Sequence, residues 1–452
     1  MSPSVTVLPG GLRVCVESVP QYGRGLAAVA LTVAAGGDDD PAGRHGTAHL
    51  VEHLMFPRSG REGSADPAGE GYAALVAGAG GVCNAETHRD HTVFHTTVPA
   101  ELLPDALAWE AGRLLGFAPT EDVIRTETDV IGEEIRGAGD AGRYWESALG
   151  ALYPGSRDSF GTTAELAGIT AGEVEAFFRA HYTAPRMVLS VVGDVDPARV
   201  VAVVREVFAG VVRTAEEARA AEEARVAGAV RTAEETRAAE APRTARETRA
   251  AEAPRAATEI RTAPLPAARP GVAVGHPLPD PVAERPAYLA QAVLAQVLGR
   301  SRLPALARSA RDGHRLTSAT VTCGYHGQWL ASAAPDLTLA VLGRAPGTEV
   351  GAAVDIWRSV LRAVADGPLP EAEHRRAVNS LLVAWHRQDD SLPTRAVALG
   401  RDALLLPGSA GPDALPAALR RTTPAEVAAA ARALLEGPVT VTELAPQKGT
   451  VG

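Results

Sequence analysis

The chain has 452 residues, enough for two or three domains and a sizeable core. Hydrophobic residues make up 46% and charged residues 22%, an ordinary globular balance, and aromatics are only 4%, so Ala, Val and Leu supply the apolar mass. Acidic residues outnumber basic ones 54 to 44, and the net charge of −10 argues against nucleic acid or an anionic membrane surface as the main partner. Cys15, Cys83 and Cys323 are far apart and odd in number, so neither a disulfide framework nor a CxxC metal knuckle is expected. The opening stretch MSPSVTVLPGGLRVCVE lacks the basic and apolar regions of a signal peptide, and no run of about 18 apolar residues occurs. A cytoplasmic location without a membrane anchor is the expectation.

Residues 5–8 and 12–17 flank Pro9-Gly10-Gly11 and predict a hairpin. Strands are predicted over 26–34, 92–98 and 187–192, and helices over 45–55, 121–136 and 198–208. Residues 213–263 stand apart: they hold ten Arg and ten Glu, with Arg recurring every six residues from Arg213 to Arg261. A six-residue step turns a helix by about 240°, so these arginines spiral around it and leave no apolar stripe to bury. Pro242 and Pro254 interrupt any helix there. A low-complexity linker is therefore expected over 213–268, between a domain at 1–212 and another at 269–446, with 447–452 as a tail. The second domain predicts helices near 286–299, 350–365 and 371–386 and strands near 318–323 and 337–342. Strands and helices mixed in this order suggest α+β or α/β layers.

Gly46-Thr-Ala-His49-Leu-Val-Glu52-His53 contains H-x-x-E-H. On a helix, His49 and His53 are four apart and share a face, and two imidazoles on one face suit Zn²⁺. Glu52 reaches the same side, placed to take a proton from water rather than to bind the metal, which is the inverted zincin arrangement. Catalytic zinc takes three protein ligands, so a third is expected on another element. Within 121–136, Glu127 and Glu134 are seven apart and face one way, while Glu133 is rotated from Glu134 by about 100°. Glu134 is assigned as the third ligand and Glu127 as the carboxylate that orients a ligand histidine. His88, His91 and His95 read as outward-facing polar residues, and Cys83 as a small buried thiol. Glu371-Ala-Glu373-His374 reads as part of an ordinary charged helix.

Four segments carry a wider pattern: DDDPAGRHGTAHLVEHLMF at 38–56, GGVCNAETHRDHTVF at 80–94, ETDVIGEEI at 127–135 and YTAPRMVLSVVGDVD at 182–196. In this order they resemble the pitrilysin/insulinase family of zinc metallopeptidases, in its half-length branch similar to mitochondrial processing peptidase. The resemblance implies an α+β fold of two similar, pseudo-two-fold-related domains, each a mostly antiparallel sheet with packed helices. It implies zinc on His49, His53 and Glu134, catalytic roles for Glu52 and Glu127, and substrate held along Asn84 and Ala85. The implied activity is an endopeptidase for extended, unfolded peptides.

The second half resembles the family more weakly, through LGRSRLP at 298–304. Arg308 is the candidate for an Arg that holds the substrate. Where the family carries a Tyr seven residues later, this chain has Arg315, and no Tyr occurs between Tyr288 and Tyr325. The expectation is a clam-like heterodimer whose second pitrilysin-like subunit supplies the missing Arg and Tyr. A homodimer using Arg308, Arg315 or Tyr325 is the rival. The competing class is a catalytically weak or structural subunit that binds peptides or a partner peptidase; the retained Glu52 argues against it.

Overall fold

The computed structural model describes residues 3–56, 71–137, 140–156, 159–212, 259–304, 316–406 and 414–446. Their contacts divide into two units, one within Met1–Arg136, Asp158–Ala251 and Gln388–Pro407, the other within Gly137–Arg157, Glu252–Arg387 and Gly408–Gly452.

The first unit is built on a sheet of β1 (Ser4–Val7), β2 (Arg13–Ser18), β3 (Leu26–Val33), β4 (Val82–Thr87), β5 (Thr92–Pro99) and β6 (Met187–Gly193). Its order is β1-β2-β6-β3-β5-β4, antiparallel except for the β2–β6 pair. The central strands read LAAVALTV and MVLSVVG, near-continuous apolar runs rather than alternating ones, because both faces of the sheet are covered. On one face lie helices α1 (Thr47–Leu54), α2 (Tyr72–Gly78), α3 (Leu103–Leu115) and α4 (Glu121–Gly137), with Ala171–His181 and Pro197–Val207 beside them. Leu31, Leu50, Phe94, Leu107, Ile131 and Phe208 form the solvent-free centre of this layer.

The helix Leu392–Leu405 covers the other face, packing Ala396 on Ala28, Ala30, Val93 and Val192. Gly400 lets it lie flush, since a Cβ there would stand 2.5 Å from Thr32 Oγ1. Arg395 clamps it with two hydrogen bonds to the buried Glu17, at 2.6 and 2.7 Å.

The second unit repeats the plan. Its strands are β7 (Ile260–Arg261), β8 (Leu265–Ala267), β9 (Gly271–Pro277), β10 (Leu316–Cys323), β11 (Leu337–Arg344) and β12 (Thr440–Pro446). The order is β10-β11-β9-β12-β7, with β8 also beside β12. One face receives the helix Asp140–Leu152, whose Tyr144, Trp145, Ala148 and Leu149 pack on Ala273, Leu337, Leu339 and Leu444. The helices Arg285–Val297, Val350–Ala365 and Pro424–Glu436 belong to the same unit.

The predicted elements of both halves are present, within a few residues of their predicted bounds. The units differ from a division at 212 and 269 in three places. Residues 137–157 belong to the second unit and 388–407 to the first, while β7 and β8 lie inside the stretch expected to be linker. An amphipathic helix buries its apolar side on whichever sheet face is open, whatever its place along the chain. Ala267 is buried and Ile260 and Leu265 half-buried beside β12, so the ordered sheet begins before residue 269. The rest of that stretch, 213–258, lies outside the described residues, as do Arg308 and Arg315. Among the described residues no helix is long and apolar enough to cross a membrane.

Candidate metal centre

The helix α1 begins at Gly46, whose φ of 101° is a left-handed conformation that favours glycine. Space is short there too: a Cβ on Gly46 would come within 2.7 Å of Leu166 Cδ2. Asp40 satisfies the first free amides. Its Oδ2 accepts from the Gly46 N–H at 2.7 Å and its Oδ1 from the Ala48 N–H at 2.8 Å. His45 Nδ1 lies 3.0 Å from the same carboxylate. A carboxylate at a helix N-terminus contributes about 1 kcal/mol, which matters for a helix this short. Ala48, Leu50 and Val51 pack into the core, and His49, Glu52 and His53 are left along the cleft side.

The two imidazoles meet edge-on with ring centroids 4.9 Å apart. Each Nε2 lies 3.6 Å from Oε2 of Glu134, which α4 brings across the cleft. Glu127, two turns earlier on α4, sets its Oε2 3.1 Å from His53 Nδ1. Glu133 turns to solvent and pairs with Arg136 at 2.7 Å. The three facing atoms, two imidazole nitrogens and one carboxylate oxygen, all lie within 4.8 Å of one another. A tetrahedral zinc with bonds of about 2.0–2.1 Å holds its donors about 3.3 Å apart. The donor chemistry and the spacing therefore fit zinc, with the far nitrogen of His53 already oriented by a carboxylate as a ligand histidine requires.

Burial works against charge on His53. The hydrogen bond that His53 donates to Glu127 and the neighbouring Glu52 and Glu134 outweigh it and hold the imidazole above its ordinary value. Burial pushes the Glu52 carboxyl up, against a hydrogen bond donated by Thr87 Oγ1 and the nearby His53.

Thr87 stands on β4, the edge strand of the sheet. Along β4 the exposed residues Val82, Asn84 and Glu86 alternate with Cys83, Ala85 and Thr87, of which Ala85 is buried. Thr87 reaches Glu52, so the odd-numbered side chains face α1. Among the described residues the outer edge of β4 has no partner strand. Asn84 and Ala85 thus lie on an open edge beside the metal cluster.

Behind α1 is a buried cluster with no counterpart in the sequence reading. Tyr72 donates to Glu110, and Arg113 donates to the same carboxylate from Nε at 3.0 Å and Nη2 at 2.5 Å. The guanidinium lies 4.5 Å from the Tyr72 ring, 4.6 Å from Phe94 and 5.4 Å from Phe56, and its Nη1 is 3.5 Å from the Met55 carbonyl. It braces the end of α1 with a cation, where the helix dipole favours one.

Three expectations change. His88 and His91 do not face outward: both are buried, with rings stacked at 4.4 Å and 5°. They sit in the β4–β5 turn, which folds under Gly37 and Asp38 through backbone hydrogen bonds of 3.0 and 2.8 Å. Burial pushes His91 down to about 4, with the neighbouring His88 assisting. Cys83, on the edge strand β4, is half-buried rather than buried. Glu373 is no ordinary surface acid, since it is buried and bonded to Arg302 at 2.7 and 2.8 Å and to Ser301 at 2.6 Å. Arg308 falls outside the described residues. Asp40, Thr87 and Arg113 were not assigned roles from sequence. Thr87 could have been, because alternation from Ala85 puts it on the α1 side.

Comparison with known proteins agrees with this geometry. Residues 16–138 match the insulinase family, peptidase family M16, and residues 168–381 match the peptidase M16 inactive domain. An uncharacterized zinc protease of Mycobacterium tuberculosis is 32% identical over 213 residues, 46% of this chain and 47% of that one. A probable beta subunit of the mitochondrial-processing peptidase of Arabidopsis thaliana is 30% identical over 211 residues, 45% of this chain and 38% of that one. The chain thus spans about half the length of the curated relatives it matches. A protease from Helicobacter pylori superposes with a TM-score of 0.78 over 98% of this chain and 99% of that one, at 18% identity, which is a likeness of fold. The two M16 matches in their order and the zinc-protease relatives lead to one conclusion: this chain belongs to the pitrilysin/insulinase family.

Proposed function

We propose that the chain is a zinc-dependent endopeptidase for extended, unfolded peptides and the catalytic member of a two-chain complex. The observation that carries this is the convergence of His49, His53 and Glu134 beside Glu52 at an open sheet edge. When bound by those three residues, zinc supplies Lewis-acid polarisation of a peptide carbonyl and acidification of water. The protein's own groups do the rest. Glu127 holds His53 in the tautomer that leaves Nε2 free to ligate. Glu52 takes the proton of the attacking water and returns it to the leaving amine. Thr87 fixes the Glu52 carboxylate by donating its hydroxyl proton. The edge of β4 pairs with the substrate backbone, a mode open to extended peptides and closed to folded ones.

The oxyanion side of the reaction is not furnished by Tyr325. That side chain is 6% exposed and packs edge-on against Trp145 with centroids 4.8 Å apart, inside the core of the second unit. Oxyanion donors are worth on the order of 3 kcal/mol, so a peptidase without them is slow. This favours a partner subunit of the same fold that brings the Arg and Tyr, over a homodimer relying on Tyr325. The test is cleavage of unstructured peptides by the purified chain, alone and with a related subunit lacking H-x-x-E-H. Zinc-dependent cleavage that rises strongly on adding the partner supports the reading. Full activity of the chain alone overturns the two-chain part. Absence of cleavage with zinc bound and partner present overturns the peptidase.

A further inference from the structure

The open edge of β4 has two surfaces, and only one of them faces the metal cluster. Cys83, Ala85 and Thr87 point to the α1 side, while Val82, Asn84 and Glu86 point to the other. A peptide paired with β4 projects its own side chains alternately onto the same two surfaces, and directly opposed pairs stand about 4.5–5.5 Å apart at Cβ. One substrate side chain must therefore lie beside Glu86.

The Glu86 carboxylate is about half exposed, with a side-chain relative exposure of 48%. His88 Nε2 holds it at 3.2 Å, from the buried turn that follows the strand. Because an ionised carboxylate only accepts, His88 donates this bond, which favours the charged form of Glu86 and fixes its direction. The β5 residues opposite β4 on this surface are Val93, His95 and Thr97, facing Glu86, Asn84 and Val82 in register. Burial pushes His95 below its ordinary value, against the opposing pull of Glu86. No described Arg forms a salt bridge with Glu86, so the surface presents one oriented carboxylate held only by His88.

We infer that Glu86 is a specificity-determining residue, which selects peptides carrying an arginine or lysine at the one position that pairs opposite it. The inference rests on the strand-addition reading above. It concerns the surface of β4 away from the metal and involves no ligand of the metal.

The experiment uses the full zinc-loaded chain with Glu52→Gln, so that peptides bind without being cut. The probes are fluorescein-labelled unstructured peptides, identical except for one arginine moved along the sequence, and a matching set with uncharged citrulline in its place. Anisotropy titration should reveal one position at which arginine binds about two- to fivefold tighter than citrulline, the range that an ion pair in contact with water supplies. Adding Glu86→Gln should erase that difference, and Glu86→Arg should make a glutamate at the same position the preferred residue. Binding with no positional preference for arginine, or a preference that survives Glu86→Gln, overturns the inference and leaves strand addition standing. If no peptide of either set binds, the strand-addition reading itself fails and this inference falls with it. Zinc content and melting temperature of each variant show whether a loss reflects misfolding.

Discussion

Two edge strands of this chain lie beside helices in similar ways and have different side chains around them. In the first unit β4 runs beside α1, whose cleft side carries His49, Glu52 and His53. In the second unit β10 and the helix Arg285–Val297 line a cavity of about 400 Å³ with Ala292, Ala295, Gln296, Gly299, Thr320 and Trp329. Among the described residues no histidine or carboxylate lines that cavity. The helix there is buried over nearly its whole length, Tyr288 to Ala295, so it serves as a core element. The shorter α1 sinks one side into the core and carries His49, Glu52 and His53 along the other. Layout is thus common to both units, and they differ in which side chains one helix face carries.

The largest effects expected bear on that contrast. His49→Ala or Glu134→Gln should abolish zinc retention at about one ion per chain, measured by metal analysis after dialysis, because two ligands do not make a catalytic site. Glu52→Gln should keep the zinc and lose peptide hydrolysis by a factor of about 10²–10⁴. Zinc retained without His49, or hydrolysis unchanged without Glu52, would remove the distinction between the two clefts.

Next comes the bracing of α1. Arg113→Met leaves Glu110 buried without its partner and should cost about 3–5 kcal/mol in urea unfolding. The double variant Arg113→Met with Glu110→Gln should recover much of that loss, since it removes both charges together. If the double variant is as unstable as the single one, packing of the Arg113 stem and not charge holds the cluster.

Acidification compares the units through one buried histidine each. His91 in the first is pushed down to about 4, and His276 in the second to about 3, by burial in both cases. His276 accepts a hydrogen bond from Trp357 Nε1 at 3.0 Å, which requires the neutral ring. An unfolded chain protonates these histidines near pH 6.5, well above either folded value. The unfolded state therefore binds more protons, and stability present above about pH 6.5 is lost as pH falls toward 4 and 3. The contribution should be about 3 kcal/mol for His91 and about 5 kcal/mol for His276. His276→Gln should flatten the second unit's share of the pH dependence of the melting temperature and leave that of His91. An unaltered slope would contradict the assignment.

The smallest effect is expected in the low-complexity stretch, which lies outside the described residues. Replacing residues 219–255 by a flexible spacer of sufficient length should change neither zinc content nor melting temperature, given the absence of an apolar stripe in that sequence. A large fall in melting temperature would show that the segment packs.

Much of the fold was legible because it follows from local periodicity. The apolar runs of β3 and β6 and the spacing of α4 give their elements without tertiary information. The two faces of the candidate site were legible for the same reason, since intervals of four and seven residues on helices put His49 with His53 and Glu127 with Glu134. The His88–His91 turn was not, because periodicity does not reveal that Gly37 and Asp38 close over it. Nor was the exchange of the helices Asp140–Leu152 and Leu392–Leu405 between units, because burial on an open sheet face has no sequence-local signal.

The sequence by itself determined which side chains can share a helix face and which strands bury on both sides, as consequences of backbone geometry within one element. Only the tertiary structure decided which elements meet. It brought Glu134 to the two imidazoles, Thr87 to Glu52 and Asp40 to the start of α1, across 81, 35 and 8 residues of chain as counted to His53, Glu52 and Ala48. Contacts over such separations are set by the packing of apolar faces into a common core, and spacing along the chain carries no record of them.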